Sequence, residues 1–157
     1  RIWKDEKYLL DKNHITFKEF RNFILKYKLD ASGEDSFDPF TDKNYPFVIA
    51  FFTLIQKFVK SAPEKEQMPL ALYWLAKVDA ILNFSYFYSF SDLYLKECIT
   101  SYPSNPYAPK CYQQYKDNIV FAYSGSGGTD IPEDLRMELK RLKEILAPFH
   151  YRHHKRK

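Results

Sequence analysis

The sequence predicts an all-α domain. Through most of the 157 residues, apolar side chains recur at spacings of three and four, which is the period of a helix with one buried face. No segment alternates apolar and polar residues in the way that a half-buried strand does. Only 4 residues are glycine and 18% are aromatic, a composition that favours bulky side chains packed between regular elements. We therefore expect six or seven helices joined mostly by short loops.

Residues 1–68 are predicted to hold the N-terminal helices and one acidic loop. Thr16 and Glu19 fit a capping box, in which each side chain accepts a hydrogen bond from a backbone N–H at the start of a helix. We therefore expect a short helix within residues 2–11 and a second helix from about 17 to 29.

An acidic loop and a Phe-rich helix follow. Residues 30–44 contain five acidic side chains and little periodicity, so they are predicted to form a loop rather than a domain boundary. The next helix begins near Asn44, has Pro46 in its first turn and ends before Pro63. Its broad apolar face, residues 47–59, is rich in phenylalanine.

Residues 69–147 are predicted to form the remaining helices. The predicted segments are 69–84, 85–102, 108–123 and 130–147. Three of the four glycines lie in the turn at 125–129, where a tight connection between two helices requires a positive φ. Acidic residues at the start of the last helix suit the positive end of its dipole, and Pro148 is expected to close it.

The excess positive charge lies at the C-terminal end. The net charge of +4 arises from residues 152–157, which hold four basic side chains and no acid, so residues 1–151 are balanced. A balanced body argues against nucleic-acid binding, which requires a basic face. We treat residues 1–151 as a single domain and 152–157 as a basic tail. The longest apolar stretch, 45–55, is shorter than the ~20 residues of a membrane span, so no transmembrane segment is predicted and any membrane attachment is expected to be peripheral.

The motifs that would indicate metal binding, phosphate binding or catalysis lack the required residues or spacing. The segment from His14 to Phe20 resembles the end of a calcium-binding loop, but its first ligand positions fall on Tyr8 and Leu10, which supply no carboxylate. The glycine-rich turn at 125–129 lacks the lysine of a phosphate-binding loop. The cysteines and the tail histidines do not have the spacing of a zinc site. The sequence therefore predicts no catalytic residue, no metal site and no cofactor.

Three segments of the C-terminal half are similar to one another, with Ala71 and Ala108 37 residues apart. The segments are PLALYWLA (69–76), LYLKECITSYP (93–103) and NPYAPKCY (105–112). Residues 69–122 resemble tetratricopeptide repeats, in particular the extended repeats of bacterial cell-envelope proteins of the outer-membrane assembly lipoprotein and Tol-Pal coordinator type. The resemblance implies a short array of stacked helical hairpins whose concave surface holds a partner protein, without catalysis. It also implies that Leu75 and Ala76 stand at the closely packed Leu-Gly/Ala pair of the repeats, in the contact between the predicted helices at 69–84 and 85–102. Residues 1–68 contain no second full copy, and a plain helical bundle is the alternative.

The two cysteines are predicted to lie side by side. Cys98 is one turn before Pro103 at the end of one predicted helix, and Cys111 is one turn into the next. Because these helices must pack back on each other, the two side chains lie at matching heights beside the turn, which suits a disulfide. Such a bond suits an oxidising compartment such as the periplasm. Two buried free thiols are the alternative.

We interpret the chain as a non-catalytic scaffold or adaptor that binds a partner protein in the bacterial cell envelope, in the periplasm or associated with the outer membrane. Aromatic side chains around the third and fourth long helices are more numerous than one helix face can bury, which marks them as candidate contacts. These candidates are Tyr73, Trp74, Tyr86, Phe87, Tyr88 and Tyr94. The alternative is a small structural subunit that is buried in a larger complex and docks through the Phe-rich helix at 47–59.

Overall fold

The computed structural model describes residues 2–30, 45–82 and 89–150, and these residues form an all-α fold, as the sequence predicts. The elements in these ranges are α1 (Ile2–Asp5), α2 (Lys7–Leu10), α3 (Phe17–Lys26), α4 (Tyr45–Lys60), a 3-10 helix (Lys65–Gln67), α5 (Met68–Leu82), α6 (Ser91–Ser101), α7 (Ala108–Ala122), β1 (Ser124–Gly125), β2 (Gly128–Thr129) and α8 (Glu133–His150). The predicted loop beyond Asp30 and the basic tail lie outside the described residues. No helix in the described ranges is both long and apolar enough to cross a membrane.

Local sequence signals set both ends of α3. The Thr16 hydroxyl accepts a hydrogen bond from the backbone N–H of Glu19 (3.2 Å), and the Glu19 carboxylate accepts one from the backbone N–H of Thr16 (2.9 Å), which confirms the capping box. Lys12 also pairs with Glu19, and this hydrogen bond lowers the pKa of Glu19. The helix ends at Lys26, earlier than predicted, because Lys28 adopts a left-handed conformation (φ 51°) that closes a Schellman-type turn.

The start of α6 depends on a tertiary contact. Asp79 on α5 is buried, and its carboxylate accepts hydrogen bonds from the Ser89 hydroxyl (2.7 Å) and from the backbone N–H of Phe90 (2.6 Å). The carboxylate thus lies at the positive N-terminal end of α6, where a negative charge is favourable. The helix therefore begins at Ser91, later than the sequence predicts. Residues 83–88, where the prediction placed its first turn, lie outside the described residues.

The connection from α7 to α8 is a short β-hairpin in which β1 and β2 pair in antiparallel fashion. Gly128 has a φ of 109°, which confirms that this turn requires glycine. The prediction that Pro148 closes α8 is wrong, because the helix continues to His150. The proline costs one backbone hydrogen bond, but the His150 imidazole donates to the carbonyl of Pro103 (2.8 Å) and so fixes the last turn against the α6–α7 connection.

Two hydrophobic cores share α5. Helices α1 to α5 enclose the first core, and α5 to α8 enclose the second. In the first core, phenylalanines of α3 and α4 stack with ring centroids 4.8–5.9 Å apart. These residues are Phe20, Phe23, Phe47, Phe51 and Phe58. The Phe-rich face that was expected to dock on other chains in a larger complex is therefore buried inside the protein itself.

The two residues aligned with the Leu-Ala pair of the repeats pack into different cores. Ala76 is fully buried in the second core with Leu95 and Ile99 of α6, so it lies in the predicted contact between α5 and α6. Leu75 belongs instead to the first core. Only Ala76 therefore occupies the position that the repeat alignment assigns to it.

A buried carboxylate joins the N-terminal helices to α3. Glu6, between α1 and α2, is 2% exposed, pairs with Lys26 and accepts a hydrogen bond from the Tyr27 hydroxyl (2.9 Å). The hydrogen bond to Glu6 raises the pKa of Lys26. The Lys57 ammonium of α4 donates to the carbonyl of Leu10 at the end of α2. These polar contacts hold α1 and α2 against the first core.

Candidate functional site

A cleft of about 320 Å³ lies between α3 and the connection from α6 to α7. Its apolar lining residues are Phe17, Ile24, Leu25, Leu70 and Pro106, and its polar lining residues are Arg21, Asp30, Glu66, Asn105 and Tyr107. A concave surface that is largely apolar, with a few polar groups to fix orientation, is typical of a binding site. We call this surface the α3 cleft.

Asn105 organises one wall of the α3 cleft. Its side-chain amide donates to the backbone carbonyl of Glu66 (2.9 Å), and its side-chain oxygen accepts from the backbone N–H of Tyr107 (2.9 Å). Its own backbone N–H donates to the carbonyl of Tyr102 (3.0 Å). One side chain therefore joins the 3-10 helix to the α6–α7 connection.

Tyr107 links this wall to the end of the α3 segment. Its hydroxyl donates to the carboxylate of Asp30 (2.8 Å). Lys110 pairs with the same carboxylate (3.2 Å) and lies over the Tyr107 ring, 4.9 Å from the centroid. Burial, reinforced by the hydrogen bond to Asp30, raises the pKa of Tyr107 well above the usual tyrosine range. Tyr107 is therefore a neutral hydrogen-bond donor at physiological pH.

The structure separates the residues that were predicted to contact a partner. Trp74 is 0% exposed and packs edge-on against Phe51, with ring centroids 5.5 Å apart. Its prediction as a contact residue is wrong, because α5 is covered by a core on each side. Tyr73 is half-buried and lies 5.8 Å from the Tyr107 ring, at the edge of the α3 cleft. Tyr94 is half-buried against both cores, and burial raises its pKa. The remaining candidates lie outside the described residues: Tyr86, Phe87 and Tyr88.

Cys98 of α6 and Cys111 of α7 form the predicted disulfide. Their Cα atoms are 6.4 Å apart, and both side chains are fully buried in the second core. The bond lies beside the connection that carries Asn105 and Tyr107. It therefore holds α6 and α7 together next to one wall of the α3 cleft.

A further set of titratable side chains serves to attach α8. The Glu138 carboxylate accepts hydrogen bonds from the Tyr115 hydroxyl (2.5 Å) and from Lys96 (3.1 Å). The hydrogen bond from Tyr115 lowers the pKa of Glu138, and burial raises the pKa of Tyr115. Because the three residues come from three helices, this cluster fixes α8 against α6 and α7.

Within residues 2–30, 45–82 and 89–150, no group of three or more His, Cys, Asp or Glu side chains is placed to hold a metal ion. The chemistry that the α3 cleft offers is recognition, through an apolar surface, a guanidinium group and a fixed tyrosine hydroxyl. Arg21 and Tyr107 were not predicted from the sequence as site residues. The turn-forming residues within 102–107 indicated the connection that forms one wall of the α3 cleft. No local sequence pattern indicated that α3 lies opposite this wall.

No protein-family model matches the sequence, and neither the curated proteins nor the solved structures contain a significant match. The resemblance to tetratricopeptide repeats therefore stays a prediction.

Proposed function

We propose that this protein is a non-catalytic scaffold or adaptor of the bacterial cell envelope that binds a segment of a partner protein in the α3 cleft. The observation that carries the proposal is the combination of an apolar surface with a few fixed polar groups between α3 and the α6–α7 connection. Leu25, 60% exposed, gives the cleft an apolar edge that contacts with a partner would cover.

The order of helix packing supports a repeat-like scaffold. α5 packs on α6, α6 on α7 and α7 on α8, while α5 also contacts α7 and α6 also contacts α8. Contacts between each helix and its next two neighbours are typical of helical hairpins stacked side by side. Arrays of this kind use their extended surfaces for binding.

The disulfide supports a location outside the cytoplasm. Disulfides persist in oxidising environments and are rare where thiols are kept reduced. Cys98 and Cys111, the only cysteines of the sequence, are both used in the bond. We propose the periplasm, or the periplasmic side of the outer membrane, as the compartment.

Site-specific photo-crosslinking tests the proposal. A photo-reactive phenylalanine analogue at Leu25 should yield a discrete crosslinked species in envelope extracts, because this side chain lines the cleft. The same analogue at Met137, which is 65% exposed on α8, is the matched control and should not yield that species.

A charge substitution supplies the second measurement. The variant Leu25→Asp should no longer capture the partner protein that is identified by crosslinking. Its thermal melt, followed by circular dichroism, should be unchanged, because the Leu25 side chain is mostly exposed. Met137→Asp should change neither. Capture that is unaffected by Leu25→Asp, or equally affected by both substitutions, contradicts binding in the α3 cleft.

A further inference from the structure

The charges around the α3 cleft are unevenly partnered. Asp30 is already compensated, because Lys110 pairs with its carboxylate and the Tyr107 hydroxyl donates to it. Arg21, which also lines the cleft, has no ion-pair or hydrogen-bond partner within the described parts of the chain. A guanidinium group therefore lies beside an apolar surface and is not paired with a carboxylate of residues 2–30, 45–82 or 89–150.

A second basic feature lies at the edge of the cleft. The Tyr73 and Tyr107 rings are 5.8 Å apart, and a lysine lies over each of them. Lys110 is 4.9 Å from the centroid of Tyr107, and Lys77 is 5.5 Å from that of Tyr73. The tyrosine pair at the edge of the cleft is thus flanked by two lysines.

We propose, on the basis of the function proposed above, that the partner segment presents a carboxylate side chain next to a large apolar side chain. The carboxylate pairs with Arg21, whose planar guanidinium group binds carboxylates through two parallel hydrogen bonds. The apolar side chain contacts Leu25, which is 60% exposed, and the half-buried Phe17. A phosphate group fits less well, because its greater negative charge would lie beside Asp30 and Glu66.

Three fluorescent peptides test the proposal on the full-length protein. The peptides share one sequence with a central phenylalanine and differ only in the residue beside it, which is Asp, Asn or Lys. In fluorescence anisotropy, the Asp peptide should bind about tenfold more tightly than the Asn peptide, and the Lys peptide should bind most weakly. The advantage of the Asp peptide should decrease as the salt concentration rises.

Two variants test whether Arg21 causes the preference for the Asp peptide. Arg21→Gln should remove the preference for the Asp peptide, and Arg141→Gln, an exposed arginine on α8, should retain it. Both side chains are exposed, so the fold should be unaffected, and the thermal melt checks this.

The outcomes separate this inference from the proposed function. Equal binding of the three peptides that is abolished by Leu25→Asp overturns the carboxylate assignment and leaves the α3 cleft as a binding site. A preference for Asp that persists in Arg21→Gln also overturns the assignment. Absence of binding by all three peptides overturns the assignment, whereas the crosslinking at Leu25 decides the proposed function independently.

Discussion

Breaking the Cys98–Cys111 disulfide should lower the free energy of unfolding by about 3 kcal/mol. The two cysteines are separated by 13 positions in the sequence. The chain-entropy model assigns about 3 kcal/mol to a cross-link that closes a loop of roughly this length, because the unfolded chain loses conformations. For a chain of this size, this corresponds to a decrease in Tm of about 6–12 °C.

The contribution of the cross-link to the free energy of unfolding has to be separated from the loss of core contacts, because both cysteine side chains are fully buried. Reduced wild-type protein keeps both sulfurs, so its difference from the oxidised protein isolates the cross-link. The variant Cys98→Ala/Cys111→Ala also loses buried volume and should melt below the reduced wild type. Its melt should not respond to reductant, which makes it the control for other effects of the reducing agent.

Urea unfolding followed by circular dichroism measures these free energies, and mass spectrometry after alkylation establishes the thiol state of each sample. The reduced protein should show the larger m-value, because its unfolded chain is more expanded. Native protein should be reduced slowly, since the buried bond reacts only after the structure opens. Equal free energies for the oxidised and fully reduced proteins would refute this reasoning. Two alkylatable thiols in the native protein would also remove the argument for an oxidising compartment.

Three further substitutions test packing and buried polar contacts. Ala76→Leu should overpack the α5–α6 contact and lower the free energy of unfolding in urea by about 1–3 kcal/mol. Tyr115→Phe removes a hydrogen bond to Glu138 and should cost about 1 kcal/mol at neutral pH. Because that bond lowers the pKa of Glu138, its contribution is complete above the ordinary glutamate range and should decrease as the pH falls through the lowered pKa of Glu138; a pH-independent difference would contradict the assignment. Lys26→Met leaves the buried Glu6 carboxylate without its cation and should cost about 2 kcal/mol in the same assay, part of which the added substitution Glu6→Gln should restore.

Local signals in the sequence were sufficient for much of the fold. The capping box of Thr16 and Glu19 placed the start of α3, because both hydrogen bonds lie within one helical turn. The disulfide was predicted because a helical hairpin fixes the heights of Cys98 and Cys111 relative to their shared turn. Features that depend on residues close in sequence could therefore be predicted.

Features that depend on tertiary contacts could not be predicted from local sequence patterns. The start of α6 is set by Asp79, a side chain of the preceding helix whose role as a cap has no local signature. The surplus of aromatic residues around α5 was attributed to a binding surface, but the fully buried Trp74 shows that the first core contains part of it. The α3 cleft was missed because Arg21 lies on α3 and Tyr107 lies on the α6–α7 connection, far apart in the sequence.

The sharing of α5 by two cores accounts for the position of the cleft. α5 carries buried residues that pack into both cores, such as Leu75 into the first and Ala76 into the second. The α3 cleft lies where these cores meet, with one wall from α3 and the other from the α6–α7 connection. A segment bound there would contact α3 and the α6–α7 connection at once, so its binding free energy would stabilise their packing against each other. Ligand binding should therefore protect the amides of α3 and of α7 from hydrogen exchange together, whereas a ligand bound to one core alone would protect only that core.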